Sequence, residues 1–345
     1  MTKMWNEIWE QPLALERCHD KNISVIQTIA ESLNGRQIDQ IVLAARGTSD
    51  HAAVYGKYVL EMLTGIPVCL AASSVYTIYQ RSLKLKNALV VGVSQSGRAA
   101  DVLEVLKGAN QCGAVTVGIT NYDDSPIAAE AQYHLNCEAG VEKSVAATKT
   151  FTTQLYLIAH LAAQWSGDGD FQQELLTVPE RISHTFEAAG AIENAVARYR
   201  FMQECFVLAR GINYAISLEA ALKIQETTYV RAKAFATSDF QHGPIAMVDS
   251  DIPVFLYAPE GPSFADMSAM AGRMRDSGIE TVVISNNREL LHMGACGFAI
   301  PDTQNDMISP FFNVVVAQMF ACQLALVKGL NPDSPRGLNK VTITK

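Results

Sequence analysis

Short apolar runs recur along this chain, and the stretches between them carry apolar positions three and four residues apart. Gln40–Ala45, Ile66–Leu70, Ala88–Val93 and Val115–Thr120 read as strands buried on both faces, with Tyr133–Asn136 a weaker fifth. Pro12–Leu33 sets Ile23, Ile26, Ile29, Ala30 and Leu33 on one stripe and is predicted helical up to Asn34-Gly35. Further helices are predicted over His51–Leu63, over Thr150–Trp165, and from Arg98 onward, where Val102, Leu103 and Leu106 share a face and Asp101 lies elsewhere. Strands alternating with amphipathic helices predict an α/β fold: a parallel sheet covered by helices on both faces.

The pattern then repeats. Ser166-Gly-Asp-Gly-Asp170 interrupts the helical period and is the best linker in the chain, so a boundary is expected there, dividing residues 1–166 from 167–345. A polar helix over Phe171–Tyr199 is expected to bridge the halves. Glu204–Ala209 followed by Arg210-Gly211 echoes Gln40–Ala45 followed by Arg46-Gly47, at an offset of 210 − 46 = 164 positions. Ile252–Ala258 before Gly261 matches Ala88–Val93 before Gly97 at the same offset, and Thr281–Ser285 parallels Val115–Thr120. A preserved order of strand types predicts two similar α/β domains.

Composition narrows the classes. Of 345 residues 49% are hydrophobic and 18% charged, which predicts a well-buried globular chain without a long disordered tail. A net charge of -8 argues against a sequence-independent grip on nucleic acid, and no basic helix-turn-helix segment precedes the first domain. The N-terminus lacks the apolar core of a signal peptide and no apolar run is expected to approach the length of a membrane span, so a cytoplasmic location is expected, with no membrane partner. Seven cysteines are scattered without Cys-x-x-Cys spacing, and seven histidines form no ligand pair. Neither disulfides, a metal nor another cofactor is implied.

The chemistry concentrates where strands stop. Ala88–Val93 ends abruptly in Ser94-Gln95-Ser96-Gly97 just before a helix, which gathers backbone N–H groups, side-chain donors and a helix dipole at one point. Serines in such a turn also serve as plain N-caps. Arg46-Gly47-Thr48-Ser49 repeats the motif after the first strand, and in a parallel sheet both turns lie at the carboxyl ends, where ligands bind. The second copy has Pro259-Glu-Gly-Pro262 instead and carries Glu219-Ala-Ala-Leu-Lys223-Ile-Gln-Glu226 and Phe240-Gln-His242-Gly-Pro244. Lys223 and Glu226 share a helix face, a spacing that fits an ordinary salt bridge as well as a catalytic pair. His242 fits a capping or loop histidine as well as a proton carrier, and Lys340 in the short tail fits a solvated lysine.

Taken in order, Arg46-Gly-Thr-Ser49, Ser94-Gln-Ser-Gly97, Val145-Ala-Ala-Thr-Lys149, Ala221-Leu-Lys223-x-x-Glu226, His242-Gly-Pro244 and Gly337-Leu-Asn-Lys340 resemble the tandem sugar isomerase (SIS) domains, nearly end to end. The resemblance implies two flavodoxin-like three-layer domains. It is to the isomerase half of glucosamine-6-phosphate synthase; with Met1-Thr2 at the start, no glutaminase is expected beside it. Arg98, Glu142-Lys-Ser-Val145 and Asn331-Pro-Asp-x-Pro335 are most similar to the standalone SIS-type glucosamine-6-phosphate deaminases.

By this resemblance Thr48, Ser49, Ser94, Gln95 and Ser96 hold a sugar phosphate, and Val145 and Ala147 line the sugar pocket. Ala99 stands where the synthase has a further phosphate-binding threonine. Glu226, beside Lys223, is the expected proton shuttle between C1 and C2. His242, contributed by the neighbouring subunit of a homodimer, is expected to open the ring, and Lys340 to form a Schiff base with the open-chain carbonyl. The expected reaction converts glucosamine 6-phosphate to fructose 6-phosphate and ammonia. The alternatives are deglycation of a fructosyl-amine 6-phosphate, another phosphosugar isomerisation, and sugar-phosphate sensing without turnover.

Overall fold

The structure is a computed structural model that describes residues 1–340. It contains two five-stranded sheets, parallel throughout. The first is formed by β1 (Gln40–Ala44), β2 (Val68–Leu70), β3 (Ala88–Val93), β4 (Val115–Thr120) and β5 (Tyr133–Asn136), in the order β2-β1-β3-β4-β5. The second comprises β6 (Glu204–Ala209), β7 (Arg231–Ala236), β8 (Val254–Tyr257), β9 (Thr281–Ser285) and β10 (Cys296–Ala299), in the order β10-β9-β8-β6-β7. Read from its other edge, this is the first order again, so the repeat holds at the level of topology. It is the doubly wound arrangement of flavodoxin-like sheets, whose switch point lies between the first and third strands.

β3 and β4 are buried at every position, and their apolar side chains pack under helices on either side. In the first sheet Val42, Ala44 and Val90 meet Val102, Val105 and Leu106 of helix Ala100–Gln111. In the second, Phe206, Leu208, Val254 and Leu256 meet Met267, Met270 and Met274 of helix Phe264–Asp276. Helix Lys149–Ser166 is buried nearly all round rather than along one face.

The chain divides into two compact units that interleave in sequence. One comprises Glu10–Glu142 and Lys149–Thr177, with Asn339 and Lys340; the other comprises Met1–Trp9, Lys143–Thr148 and Val178–Leu338. Helix Lys3–Trp9 thus belongs with the second sheet, held there by Asp333, whose carboxylate accepts the N–H groups of Lys3 and Met4 at 2.8 Å.

Two expectations are corrected. The polar helix over 171–199 is broken: helix Gly169–Thr185 ends in a 3-10 turn, and a separate helix occupies Ala189–Val196. Helix Ser309–Val327 does reach the length and apolar composition of a membrane span, yet most of it is buried, as expected of a core helix.

Candidate functional site

In a sheet of this order the crevice opens at the carboxyl ends of the two strands that flank the switch point, here β1 and β3, which are adjacent and in register from Gln40–Ala88 to Ala44–Gly92. Helix Thr48–Thr64 begins directly after Gly47, so Thr48 and Ser49 occupy its first turn, three residues earlier than the helix predicted from His51. Ser94–Gly97 follows β3, and its helix starts at Ala100. The two hydroxyl-bearing turns therefore stand side by side in one unit, each at a helix N-terminus where the backbone dipole favours an anion.

The β3 turn is fixed from below. The carbonyls of Gln95 and Gly97 accept the N–H groups of Asn121 and Ile127, and Ser94 N–H donates to Ile119. Gly97 has φ +63, and a Cβ there would sit 2.1 Å from Ser125 Oγ, so glycine is required on conformational and on steric grounds. At the end of β1 the Arg46 guanidinium donates to the buried Asp101 carboxylate at 2.5 Å, tying the first turn to the helix that follows the second. The other domain repeats this tie, with Arg210 donating to Asp266 at 2.9 Å.

Val145 and Ala147 lie on the loop before helix Lys149–Ser166. Glu7 accepts the N–H groups of Lys143 and Ser144, and the Asp333 carbonyl accepts that of Val145 at 3.3 Å. The loop is held by main-chain bonds to two carboxylate residues from opposite ends of the sequence.

Helix Tyr214–Thr228 presents Glu219, Lys223 and Glu226 along one stripe. Lys223 is completely buried, 3.3 Å from the equally buried Glu219 and 2.5 Å from Glu226, whose side chain is 21% exposed. Burial alone would strip the proton from Lys223, but the charges of Glu219 and Glu226 outweigh it and raise its pKa above the ordinary lysine value. The cation persists at neutral pH, and Glu226 is left as the one member of the triad with an accessible edge. The helix ends at Tyr229 in a left-handed cap, whose hydroxyl accepts the Arg336 N–H at 2.8 Å while the Arg336 guanidinium lies over its ring.

Lys340 donates to Glu142 at 2.7 Å. His242 follows helix Thr237–Gln241 in an exposed turn, its N–H donating to Asp239. Thr48, Ser49, Ser94, Gln95, Ser96 and Lys340 belong to one unit, and Val145, Ala147, Lys223, Glu226 and His242 to the other. Sequence reasoning gave Glu7, Glu219 and Asp333 no role. Their significance rests on contacts that no local pattern displays, although Glu219 has a signal in its i, i+4 spacing to Lys223.

The SIS domain model matches residues 36–164 and 203–328. The glutamine–fructose-6-phosphate aminotransferase (isomerizing) of Aquifex aeolicus is 33% identical over 99% of this chain and 57% of its own length. That of Methanothermobacter thermautotrophicus is 33% identical over 98% and 56%. The chain thus spans little more than half the length of these curated relatives. Among solved structures, the C-terminal domain of the Francisella tularensis glucosamine-fructose-6-phosphate aminotransferase superposes with TM-score 0.87 at 24% identity, covering 97% of this chain and 98% of that one. Glucosamine-6-phosphate deaminase from Thermotoga maritima superposes with TM-score 0.76 at 23% identity, covering 99% and 100%. At these identities the superpositions speak for the fold. Two matched segments, each containing one five-stranded sheet of the same order, make this chain a member of the SIS-domain family with the domain present twice.

Proposed function

We propose that this chain is a phosphosugar isomerase of the deaminating kind, releasing ammonia from glucosamine 6-phosphate. The observation that carries the reading is the stripe Glu219–Lys223–Glu226, where a buried ammonium holds one partly exposed carboxylate in a fixed position. A buried charged triad is costly to keep for packing alone, since apolar residues of similar size fill such a site at no loss of stability.

The phosphate binds the turns of Thr48-Ser49 and Ser94-Gln95-Ser96, and the sugar lies against Val145 and Ala147. His242, from the neighbouring subunit of a homodimer, moves the proton from the C1 hydroxyl to the ring oxygen, and the ring opens to the aldehyde. Glu226 takes the C2 proton, giving an enolamine, and returns it to C1. The resulting C2 imine adds water and collapses to fructose 6-phosphate and ammonia. Lys223 keeps Glu226 in place throughout, and Lys340 meets the open-chain carbonyl.

The deaminating direction rests on the likeness of Glu142-Lys-Ser-Val145 and Asn331-Pro-Asp-x-Pro335 to the standalone deaminases. Glu142, from the Glu-Lys-Ser-Val stretch, pairs with Lys340, and Asp333, from the Asn-Pro-Asp stretch, anchors the Val145 loop. The test is release of ammonia and fructose 6-phosphate from glucosamine 6-phosphate, with galactosamine 6-phosphate and a fructosyl-lysine 6-phosphate run alongside. Turnover of only one of the latter moves the substrate and keeps the chemistry. Silence on all three sinks the enzyme reading in favour of a sensor.

A further inference from the structure

Glu142 is one of the most completely enclosed carboxylates in the chain, its side chain 0% exposed. Thr150 satisfies it twice, with its N–H at 3.1 Å and its hydroxyl at 2.8 Å. Thr150 stands in the first turn of the 18-residue helix Lys149–Ser166, so the helix dipole adds to the stabilisation of the anion. The nearby Cys137 thiol is pushed up to about 12, by burial first and by the Glu142 charge among other causes, and so stays neutral. Against this fixed carboxylate rests the Lys340 Nζ at 2.7 Å, its side chain 25% exposed, from 198 positions away. One end of the ion pair is buried and immobile, and the other is accessible.

We propose that Glu142 is the proton partner and counter-ion of Lys340 in capture of the sugar carbonyl. The inference rests on the reading of Lys340 as the amine that meets the open-chain carbonyl. An ammonium is no nucleophile, and Glu142 is the base already in contact with it. Glu142 takes one proton from the Lys340 ammonium. The freed nitrogen lone pair attacks the carbonyl carbon, and the carbonyl π electrons pass to oxygen, which is protonated by the ammonium so formed. Glu142 returns its proton to the carbinolamine hydroxyl, which leaves as water as the C=N bond forms. One ammonium and one carbonyl thereby become one iminium and one water, and the iminium faces the restored Glu142 carboxylate across the distance the ammonium had.

The experiment is reductive trapping with fructose 6-phosphate and sodium cyanoborohydride, followed by peptide mass spectrometry at Lys340. The wild-type chain is expected to label at Lys340. Glu142→Gln, which keeps the Thr150 contacts and loses the charge, is expected to label about 10- to 100-fold more slowly with unchanged affinity for the sugar phosphate. Lys340→Arg is expected to keep the ion pair and the melting temperature and to lose the label, which separates chemistry from tail anchoring. If Glu142→Gln does not fold, Glu142→Asp decides, since it keeps the charge and withdraws it by one carbon; slowed trapping is expected. Trapping at the wild-type rate in the decisive variant, or no label on Lys340 in the wild type, overturns the proposal. Ammonia release is scored separately, so loss of the deaminase reading with labelling intact leaves this pair standing.

Discussion

Lys223 Nζ lies 2.5 Å from Glu226, and the lysine is wholly buried while the carboxylate keeps an exposed edge. That asymmetry separates two consequences usually merged in one mutation. Removing Glu226 leaves Lys223 paired with Glu219. Glu226→Gln is therefore expected to fold with a melting temperature near wild type while kcat for glucosamine 6-phosphate falls about 10²- to 10⁴-fold, the usual loss for a general base. Exchange of deuterium from solvent into C1 checks the step directly. Full activity in a folded variant would falsify the shuttle.

Removing the lysine has the opposite profile. Lys223→Met leaves Glu219 buried without its counter-ion and is expected to cost about 3–5 kcal/mol in urea unfolding. The double variant Glu219→Gln/Lys223→Met recovers part of that loss. The pH dependence follows from the raised pKa: the stabilisation is complete below the unfolded lysine value and is lost as pH rises through the folded one. Wild-type stability thus carries an alkaline decline that is shallower in Lys223→Met, where only the buried thiols and tyrosines remain to drive it.

The skeleton of this site was legible along the chain, and its wiring was not. Ala88–Val93 is a strand at the bounds read for it, because a strand covered on both faces must be apolar without interruption. β7 escaped, since Arg231-Ala-Lys-Ala-Phe-Ala has an exposed edge and little β-branched content to mark it. The Lys223–Glu226 pair was visible because helical spacing is local, whereas Glu219, on the same stripe, was given no role. Glu7 and Asp333 were not visible, because each acts on a backbone N–H group far off in sequence, and no periodicity encodes such a bond.

An acid-sensitive element lies away from the site. His160 is buried between His19, 5.1 Å away by ring centroid, and Tyr156, which meets it edge-on at 4.3 Å. Burial, aided by His19, pushes its pKa down to about 3. Unfolded histidine binds its proton near pH 6.5, so between these values the unfolded chain holds the extra proton and stability falls as pH drops. The expected loss over that window is on the order of a few kcal/mol. His160→Phe is expected to flatten the acid limb of the urea midpoint against pH and to leave the neutral value nearly unchanged; an unaltered limb assigns the sensitivity elsewhere.

Gly97→Ala tests the Ser94–Gly97 turn, the proposed phosphate site, through its backbone. The added Cβ meets Ser125 Oγ at 2.1 Å and Ser125 Cβ at 2.3 Å, and the residue must hold φ +63. The expected cost is about 2–4 kcal/mol, with KM for the sugar phosphate raised about tenfold or more as the turn shifts. Gly97→Ala/Ser125→Gly removes the collision but keeps the left-handed strain and gives up the Ser125 cap on Ala128 N–H, so it is expected to recover part of the loss and to stay about 1–2 kcal/mol below wild type. Equal stability of the single and double variants would show that the collision is relieved by movement of the turn instead.

Ala99 gives the converse test, a gain. It occupies the N-cap position of helix Ala100–Gln111 with extended backbone (φ -65, ψ 107) and no side-chain cap. A threonine there supplies a hydroxyl that serves either the helix or the phosphate. Without ligand it bonds an orphan N–H of the first turn and is expected to add about 1 kcal/mol. With the sugar phosphate bound, a hydrogen bond to a charged group is worth about 1.5–3 kcal/mol, which exceeds the cap, so the hydroxyl turns to the ligand. Ala99→Thr is therefore expected to raise the melting temperature of the free protein by a few degrees and to lower KM about fivefold or more, with kcat unchanged, because binding the phosphate equally in ground and transition states does not speed the chemistry. A raised melting temperature with KM unchanged would place the hydroxyl on the helix alone, and the phosphate then lies closer to Ser94 and Ser96 than to the start of that helix.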